Sequence, residues 1–291
     1  MRVLVLGVSG MLGSAVFRKL SRRAVFDTFG TARSSSIFRF FNANHASRIA
    51  TNVDVERFDD LADLVERVRP AVVINCVGVI KQLGAAQDPL HAIPINAVLP
   101  HRLARLCALS GARLIHVSTD CVFSGSKGNY REEDIPDAED LYGRSKLLGE
   151  IVDDDNAITL RTSIVGRELA SHNGLLEWFL SQEGQVRGFS KAIFSGLPTD
   201  ELANVLAEHV LPRSDLHGLY HVAANPISKY DFLKLIKCAY RTSTKIICDS
   251  TVELDRSLNP SKFHAATGYL PPSWPELIRA MRMFGQSQQE G

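Results

Sequence analysis

The chain has 291 residues, a formal net charge of +1 at pH 7, and 45% hydrophobic against 22% charged residues. This length and composition fit one or two packed α/β units and exclude intrinsic disorder as the main state. The near-neutral charge, without a basic amphipathic helix, gives no support to binding of nucleic acid or membrane. The longest apolar run, residues 71–80, is too short to span a bilayer.

Cysteine and histidine usage indicates the compartment and argues against a metal site. The five cysteines are an odd number without a C-x-x-C pair, which predicts reduced thiols in the cytoplasm. The first residues show no secretory pattern. His217 and His221 flank a predicted strand, but no third ligand stands near them. We interpret both as structural and predict no metal site.

In the first half of the chain, short apolar runs alternate with helical patterns. The predicted strands are residues 3–6, 25–32, 51–55, 71–77, 113–118 and 157–162. Apolar residues at helical spacing predict helices over residues 12–20, 61–68, 89–109 and 142–152. Strand–helix alternation implies parallel strands with right-handed crossovers. The fold class is therefore predicted to be α/β, with a Rossmann-like doubly wound parallel sheet.

After residue 162 this alternation stops. Residues 189–197, 218–223 and 246–252 have the pattern of isolated strands, and residues 199–210 and 229–240 that of helices. We expect a smaller, discontinuous C-terminal substrate region. The predicted division gives residues 1–165 and 197–224 to a cofactor-binding domain, and residues 166–196 and 225–291 to the substrate region.

A glycine-rich turn separates the first strand from the first helix. Its spacing is G-x-x-G-x-x-G, from Gly7 to Gly13. Glycines at such a turn allow a sharp bend, backbone approach to a pyrophosphate, and close packing of the helix on the strand. The sequence therefore predicts a dinucleotide site formed by the following residues: Gly7, Ser9, Gly10, Met11, Leu12 and Gly13.

The end of the second predicted strand indicates which dinucleotide binds. Arg33 and a run of serines stand where an NAD site carries a carboxylate, and an arginine there pairs with the 2′-phosphate of NADP. NADPH is therefore preferred, with NADH as the second choice. Asp54 and Val55 are expected beside the adenine. Cys76, Val77 and Gly78 are expected to bring backbone beside the cofactor.

Tyr142 and Lys146 are four residues apart, which places a phenol and an ammonium group on one helical face. A nearby ammonium stabilises a phenolate and so lowers the pKa of a tyrosine. The preceding strand delivers the hydroxyl of Thr119 to the carboxyl edge of the sheet, where open α/β folds bind ligands. These three residues are the predicted catalytic group, and Tyr142 and Lys146 are also expected to contact the cofactor.

Three stretches together carry a resemblance to a known family. They are the glycine turn, residues 118–125 with Ser-Thr-Asp and Val-Phe, and residues 142–150 with Tyr-Gly-x-Ser-Lys-x-x-Gly-Glu. The chain resembles the extended short-chain dehydrogenases/reductases and, within them, the dTDP-4-dehydrorhamnose reductase branch. The resemblance runs along the whole chain.

The resemblance implies a reaction and roles for the catalytic group. Thr119 would bind the substrate carbonyl, Tyr142 would protonate the developing alkoxide, and Lys146 would hold the nicotinamide ribose. The implied activity is hydride transfer from NADPH to the 4-keto carbon of a nucleotide-linked 6-deoxyhexulose, in deoxysugar and surface polysaccharide biosynthesis. Asp120 is expected beside the substrate with Thr119. Basic side chains suited to its diphosphate are Lys81, Arg167, Arg187 and Arg256.

Departures from the family pattern leave the sugar open. Cys121 stands where the family has tyrosine, and we interpret it as a packing change rather than a nucleophile. Ile164 stands where rhamnose-type reductases have tryptophan, and residues 78–82 replace a run of small residues. The acidic stretch 132–140 is interpreted as a solvated rim rather than a metal site.

Two other functions remain open. One is a sugar-nucleotide epimerase or dehydratase on the same scaffold, although Cys121 after Asp120 departs from the Asp-Glu pair of the dehydratases. The other is a non-catalytic, NADP-binding regulatory subunit. The sequence also leaves open whether the chain forms a homodimer.

Overall fold

The computed structural model describes residues 1–80 and 84–287. Within these residues the strands are short, apart from two long ones in the second half. In chain order they are β1 (Arg2–Leu6), β2 (Asp27–Thr31), β3 (Ile49–Ala50), β4 (Val72–Asn75), β5 (Arg113–Thr119), β6 (Ala157–Thr162), β7 (Ile164–Val165), β8 (Gln185–Phe194), β9 (Leu197–Pro198), β10 (Gly218–His221), β11 (Ile227–Ser228) and β12 (Lys245–Asp255).

The α-helices of the described residues alternate with these strands through the first half. They are α1 (Met11–Ser21), α2 (Ala43–Ala46), α3 (Phe58–Val68), α4 (Pro89–Ala92), α5 (Leu99–Ser110), α6 (Leu141–Leu148), α7 (Leu175–Leu180), α8 (Thr199–Val205), α9 (Lys229–Tyr240), α10 (Ser261–Thr267) and α11 (Trp274–Gln286).

Seven parallel strands form the main sheet, in the order β10-β6-β5-β4-β1-β2-β3. Helices cover both faces, so β4 is buried at every position, as its continuous apolar run predicts. The chain runs outward from β1 to β3 and then returns to β4 on the other side of β1. Ligands of doubly wound folds bind at such a reversal. The predicted fold class is confirmed.

The third strand lies earlier than predicted. It is formed by Ile49–Ala50 and not by residues 51–55, because Asn52 adopts a left-handed backbone conformation (φ 62°) that turns the chain out of the sheet. Asp54 and Val55 therefore lie in the connection to α3. There the Asp54 carboxylate accepts a hydrogen bond from the Glu56 N–H at 3.1 Å.

The strands of the second half are not isolated, contrary to the prediction. β10 pairs in parallel with β6 and becomes the edge of the main sheet. β8 pairs with β12 and β11 in a separate three-stranded sheet. The sequence shows where each strand lies, but the pairing between strands far apart in sequence depends on tertiary packing.

The long helical region predicted over residues 89–109 contains one wider turn. A π-helical segment, Ile93–Val98, joins α4 to α5. Pro94 lies in this segment and has no N–H to donate to a regular helical ladder. The wider turn directs Asn96, which is only 1% exposed, toward the carboxyl edge of the sheet.

Candidate active site

The glycine turn lies directly after β1, at the reversal of strand order. Gly7 has φ +81°, and its N–H donates to the Thr31 hydroxyl at 3.1 Å. A Cβ on Gly13 would overlap the Gly7 carbonyl oxygen, so only glycine lets α1 start so close to β1. The N-cap residue of α1 is Gly10, which has no side chain to accept from the first N–H groups of the helix. The first turn of α1 also contains no acidic residue. The first backbone N–H groups of α1 thus form a place for an anion.

The region after β2 presents a free cation. Arg33 is exposed and forms no hydrogen bond or ion pair with the part of the chain that the structure describes. Beside it, the Ser34 hydroxyl accepts from the Ser36 N–H at 3.2 Å and begins a 3-10 turn. An exposed guanidinium followed by hydroxyl groups suits a phosphate monoester.

Helix α6 is set against the turn that follows β5. Asp140 caps its first turn by accepting from the Gly143 N–H at 2.7 Å. A Cβ on Gly143 would overlap the Cys121 carbonyl oxygen, so glycine allows the helix to lie directly on this turn. As a result, the Tyr142 phenol comes within hydrogen-bonding reach of the Thr119 side chain.

Burial is the main influence on the Tyr142 phenol. It raises the pKa of Tyr142, Cys121 and Asp120 act in the same direction, and the hydrogen bond with Thr119 opposes them. This direction is the opposite of the one expected from the Tyr142–Lys146 spacing. Tyr142 is therefore protonated at neutral pH, which is the form that a proton donor needs.

The Lys146 ammonium is directed toward the sheet. It is 5% exposed and donates to the Val117 carbonyl at 2.9 Å. Burial lowers the pKa of Lys146 to about 8, opposed by the charges of Glu150 and Cys76. A Cβ on Gly78 would lie 4.0 Å from Nζ of Lys146. The segment after β4, predicted to lie beside the cofactor, is thus next to this lysine.

Asn96 is a site residue that sequence reasoning missed. Its side chain accepts from the Val79 N–H at 2.9 Å and donates to the Ser145 hydroxyl at 3.2 Å. It thereby connects the segment after β4 to helix α6. A lone amide in an otherwise apolar helical region was the available signal, because buried polar groups need partners.

A second missed feature is a polar network beneath the site. The Glu150 carboxylate accepts two hydrogen bonds from Arg161, at 2.8 and 2.7 Å, and one from Ser118 at 2.7 Å. Both partners of this ion pair are almost fully buried. His221 lies 3.3 Å from Arg161, and its other ring nitrogen lies 2.9 Å from the Tyr130 carbonyl oxygen.

His217 and His221 differ in their exposure to solvent. His221 is fully buried in this network, and burial, followed by the charge of Arg161, lowers its pKa to about 3. His217 is exposed and lies 3.5 Å from Asp155.

The predicted substrate residues divide into those at the site and those elsewhere. Asp120 is buried; burial raises its pKa, opposed by the charge of Arg256. Arg256 donates to the Phe123 carbonyl at 2.9 Å, with its guanidinium 3.7 Å from the Cys121 sulfur, so it lies beside the turn that follows β5. Arg167 pairs with Glu177 and Arg187 with Asp249. Lys81 lies outside the described residues.

Within the acidic stretch 132–140, Glu132 accepts from the distant His221 N–H at 2.7 Å, whereas two other carboxylates have nearby partners. Asp134 pairs with Lys127 at 2.5 Å, and Asp137 accepts from the Ser124 hydroxyl at 2.6 Å. Across residues 1–80 and 84–287, no group of three or more potential ligands is arranged to hold a metal ion. In the same residues, no helix has the length and hydropathy to cross a bilayer.

The doubly wound sheet, with Thr119, Tyr142 and Lys146 gathered at its carboxyl edge, has the architecture of the extended short-chain dehydrogenases/reductases, a class of NAD(P)-dependent oxidoreductases. The model of the RmlD substrate binding domain matches residues 1–266, and the chain belongs to that family. The class expected from the sequence is thereby confirmed.

Individual relatives have different names. The methionine adenosyltransferase 2 subunit beta of Xenopus tropicalis is 27% identical over 79% of this chain and 69% of its own. A dTDP-4-dehydrorhamnose reductase of Mycobacterium tuberculosis is 34% identical over 51% of this chain and 44% of its own. The crystal structure of the Bacillus anthracis dTDP-4-dehydrorhamnose reductase, in complex with NADP, superposes with a TM-score of 0.79 at 22% identity, covering 97% of this chain and 99% of that one.

Proposed function

We propose that this protein is an NADPH-dependent reductase of the 4-keto group of a nucleotide-linked 6-deoxyhexulose. The observation that carries this proposal is the placement of the Thr119 hydroxyl, the Tyr142 phenol and the buried Lys146 ammonium around the carboxyl end of β5. Cytoplasmic deoxysugar synthesis for a surface polysaccharide is the setting that we propose.

The residues present fit NADPH. The uncapped start of α1 suits the pyrophosphate, and Gly13 lets this helix begin directly against the Gly7 carbonyl. Arg33 and the serines after it would pair with the 2′-phosphate, and residues 76–78 would line the nicotinamide side next to Lys146. Asp54 and Val55 would lie near the adenine from the connection that leads to α3. When bound, NADPH supplies the hydride.

The chain's own residues then carry the proton and the charge. Thr119 would donate a hydrogen bond to the substrate oxygen and hold the carbonyl in line. Tyr142 would release its proton to that oxygen as negative charge develops there. Lys146, positively charged below a pKa of about 8, would hold the ribose and favour the phenolate that Tyr142 becomes. Asn96 would hold the segment after β4 in place against helix α6 through its hydrogen bonds to Val79 and Ser145.

The rest of the substrate would lie between the two parts of the chain. Asp120 and Arg256 face the catalytic group, so we assign them to the sugar end rather than to the diphosphate. Lys81 stays a prediction for the diphosphate. We keep the division into residues 1–165 with 197–224 and residues 166–196 with 225–291 as a proposal. The separate β8–β11–β12 sheet supports it.

The test is NADPH oxidation by the purified protein with 4-keto-6-deoxyhexoses linked to dTDP, UDP, GDP or CDP, each produced in place by a dehydratase. We expect oxidation with one of these substrates and a loss of about 10²- to 10⁴-fold in the Tyr142→Phe variant. NADPH binding should be nearly unchanged in that variant, since the ring and the helix remain. No oxidation across the panel, with NADPH still bound, would overturn the reductase.

Cofactor choice has its own test. Arg33→Asp should weaken binding of NADPH far more than binding of NADH, because the carboxylate repels the 2′-phosphate and can accept from a 2′-hydroxyl. Titration of each cofactor by fluorescence measures the two affinities. Equal weakening of both would show that Arg33 does not contact the 2′-phosphate.

A regulatory subunit is the second candidate, favoured by the relatives named methionine adenosyltransferase 2 subunit beta. On this hypothesis the chain would bind NADPH and associate with a larger enzyme without turning over any sugar nucleotide. Co-purification with a methionine adenosyltransferase and a change in its kinetics, together with silence in the sugar-nucleotide panel, would favour it.

A further inference from the structure

A second cleft lies on the opposite side of the main sheet from the glycine turn. It has a volume of about 410 Å³ and opens between the C-terminal half of α3 and the strands β1, β2 and β3, with Arg2 at the amino end of β1. Its rim carries three guanidinium groups, from Arg2, Arg48 and Arg67, and Phe29 and Leu64 contribute apolar surface. The glycine turn follows the carboxyl end of β1, whereas Arg2 begins that strand, so this cleft is separate from the dinucleotide site.

Two of the guanidinium groups are already held in place. Arg2 lies 3.2 Å from the Asp27 carboxylate and donates to the Val68 carbonyl at 2.7 Å. Arg48 lies 2.9 Å from the other oxygen of Asp27, with its guanidinium 4.9 Å from the centre of the Phe29 ring. The Asp27 carboxylate thus orients two cations, which lowers the entropy cost of binding an anion beside them.

The third guanidinium, that of Arg67, is exposed and forms no ion pair or hydrogen bond within residues 1–80 and 84–287. Three arginines thus line the cleft, and Asp27 is the one carboxylate that pairs with any of them among the described residues. This leaves an excess of positive charge in the cleft.

We propose that this cleft binds a small phosphate monoester that carries an aromatic ring, of the size of a nucleoside monophosphate. Guanidinium groups match phosphate oxygens in bidentate geometry, and arginine keeps its charge at any working pH. The apolar wall formed by Phe29, Leu64 and Val68 takes the ring. The cleft volume falls in the range of small-molecule sites. The ligand would bind near the amino edge of the main sheet, away from the proposed catalytic residues at the carboxyl edge.

The experiment is calorimetric titration of the full chain, saturated with NADPH, with adenosine 5′-monophosphate, uridine 5′-monophosphate or inorganic phosphate. We expect one equivalent of at least one nucleotide to bind. Arg67→Gln should weaken this binding about tenfold or more, since it removes a charge-assisted contact without breaking any pair in the free protein. Arg105→Gln is the matched control, an exposed helical arginine without a partner among the described residues and outside the cleft, and should bind normally.

Three results would overturn the proposal. No saturable heat with either nucleotide up to about 10 mM would remove the site. Equal affinities in Arg67→Gln and Arg105→Gln would place the nucleotide elsewhere, including in an incompletely filled cofactor site. Inorganic phosphate binding as tightly as both nucleotides would exclude the aromatic part of the ligand. None of these results depends on whether the protein reduces a sugar nucleotide.

Discussion

Two groups of buried and half-buried polar side chains meet at the carboxyl end of β5, and they are built in opposite ways. The first group is Thr119, Tyr142 and Lys146, which we propose to be catalytic and call the catalytic group; the second, the supporting network, is Ser118, Glu150, Arg161 and His221. In the supporting network both oxygens of the Glu150 carboxylate are hydrogen-bonded, at 2.7 and 2.8 Å. In the catalytic group, burial opposes the charged forms of both ionisable members, since it raises the pKa of Tyr142 and lowers that of Lys146.

On the proposed mechanism, the difference separates groups that must change charge from groups that must stay in place. A phenol that is to give up a proton cannot be fully satisfied in one ionisation state, and shifted pKa values are typical of such groups. A buried ion pair with every oxygen bonded is costly to form and very costly to break, so it holds its surroundings rigidly. Glu150 acts on both groups, because its charge also favours the ammonium form of Lys146.

Breaking the supporting network should give the largest loss of stability. Glu150→Gln removes the negative charge and leaves the Arg161 guanidinium buried without a counter-ion. We expect the free energy of unfolding to fall by about 3–5 kcal/mol. Urea unfolding at pH 7 measures it, with Glu139→Gln as the control, because Glu139 is an exposed carboxylate in the neighbouring loop. If the two variants lost equal amounts, the network would not be a supporting element.

A substitution in the catalytic group should instead raise the free energy of unfolding. The pKa of Lys146 is about 8 in the folded protein, against 10.5 when unperturbed. This lowered pKa costs about 3 kcal/mol of stability below pH 8, and the cost disappears as the pH rises toward 10.5. Lys146→Met removes that cost together with a hydrogen bond worth about 1 kcal/mol, so we expect a gain of about 2 kcal/mol at pH 7.

The same variant should lose reductase activity, so stability and activity would move in opposite directions. The gain measured by urea unfolding should shrink at pH 9 and above, since the wild-type lysine is then increasingly neutral in the folded state. A variant that is less stable than wild type at pH 7 would mean that Lys146 is a structural cation like Arg161.

The sequence indicates the residues of the proposed catalytic group but not those of the supporting network. Tyr142 and Lys146 are joined by local helical spacing, and Thr119 by its place at a strand end, so pattern alone indicates them. Glu150 and Arg161 come from different elements, and nothing in either neighbourhood indicates that the two side chains form an ion pair. The sequence also predicts a lowered pKa for Tyr142, whereas the structure raises it. The reason is burial of the phenol, which depends on how closely Gly143 lets α6 approach the turn after β5.

The fold shows the same division between local and long-range information. The buried strand β4 and helix α9 follow from continuous apolar runs and helical periodicity, which are local properties. The pairing of β10 with β6 joins residues about 60 positions apart, and no local pattern contains it. β3 was misplaced because only the structure shows the left-handed turn at Asn52.

The smallest expected effect is on the pH dependence of stability, and it comes from His221 in the supporting network. His221 has a pKa of about 3 in the folded protein, against 6.5 when unperturbed. Between these values the unfolded chain binds a proton that the folded chain does not, so stability falls as the pH drops below 6.5. From pH 7 to pH 5.5 this histidine should account for a loss of about 1 kcal/mol.

His221→Asn should therefore flatten the pH dependence, because asparagine keeps a donor toward the Tyr130 carbonyl and does not titrate. Its unfolding free energy should be lower than wild type at pH 7, from the lost contact with Arg161, but should change less between pH 7 and pH 5.5. His217→Asn is the control, since that histidine is exposed, and it should keep the wild-type slope. If His221→Asn also kept that slope, the histidine would be protonated in the fold, and the supporting network would carry an unmatched charge like the catalytic group.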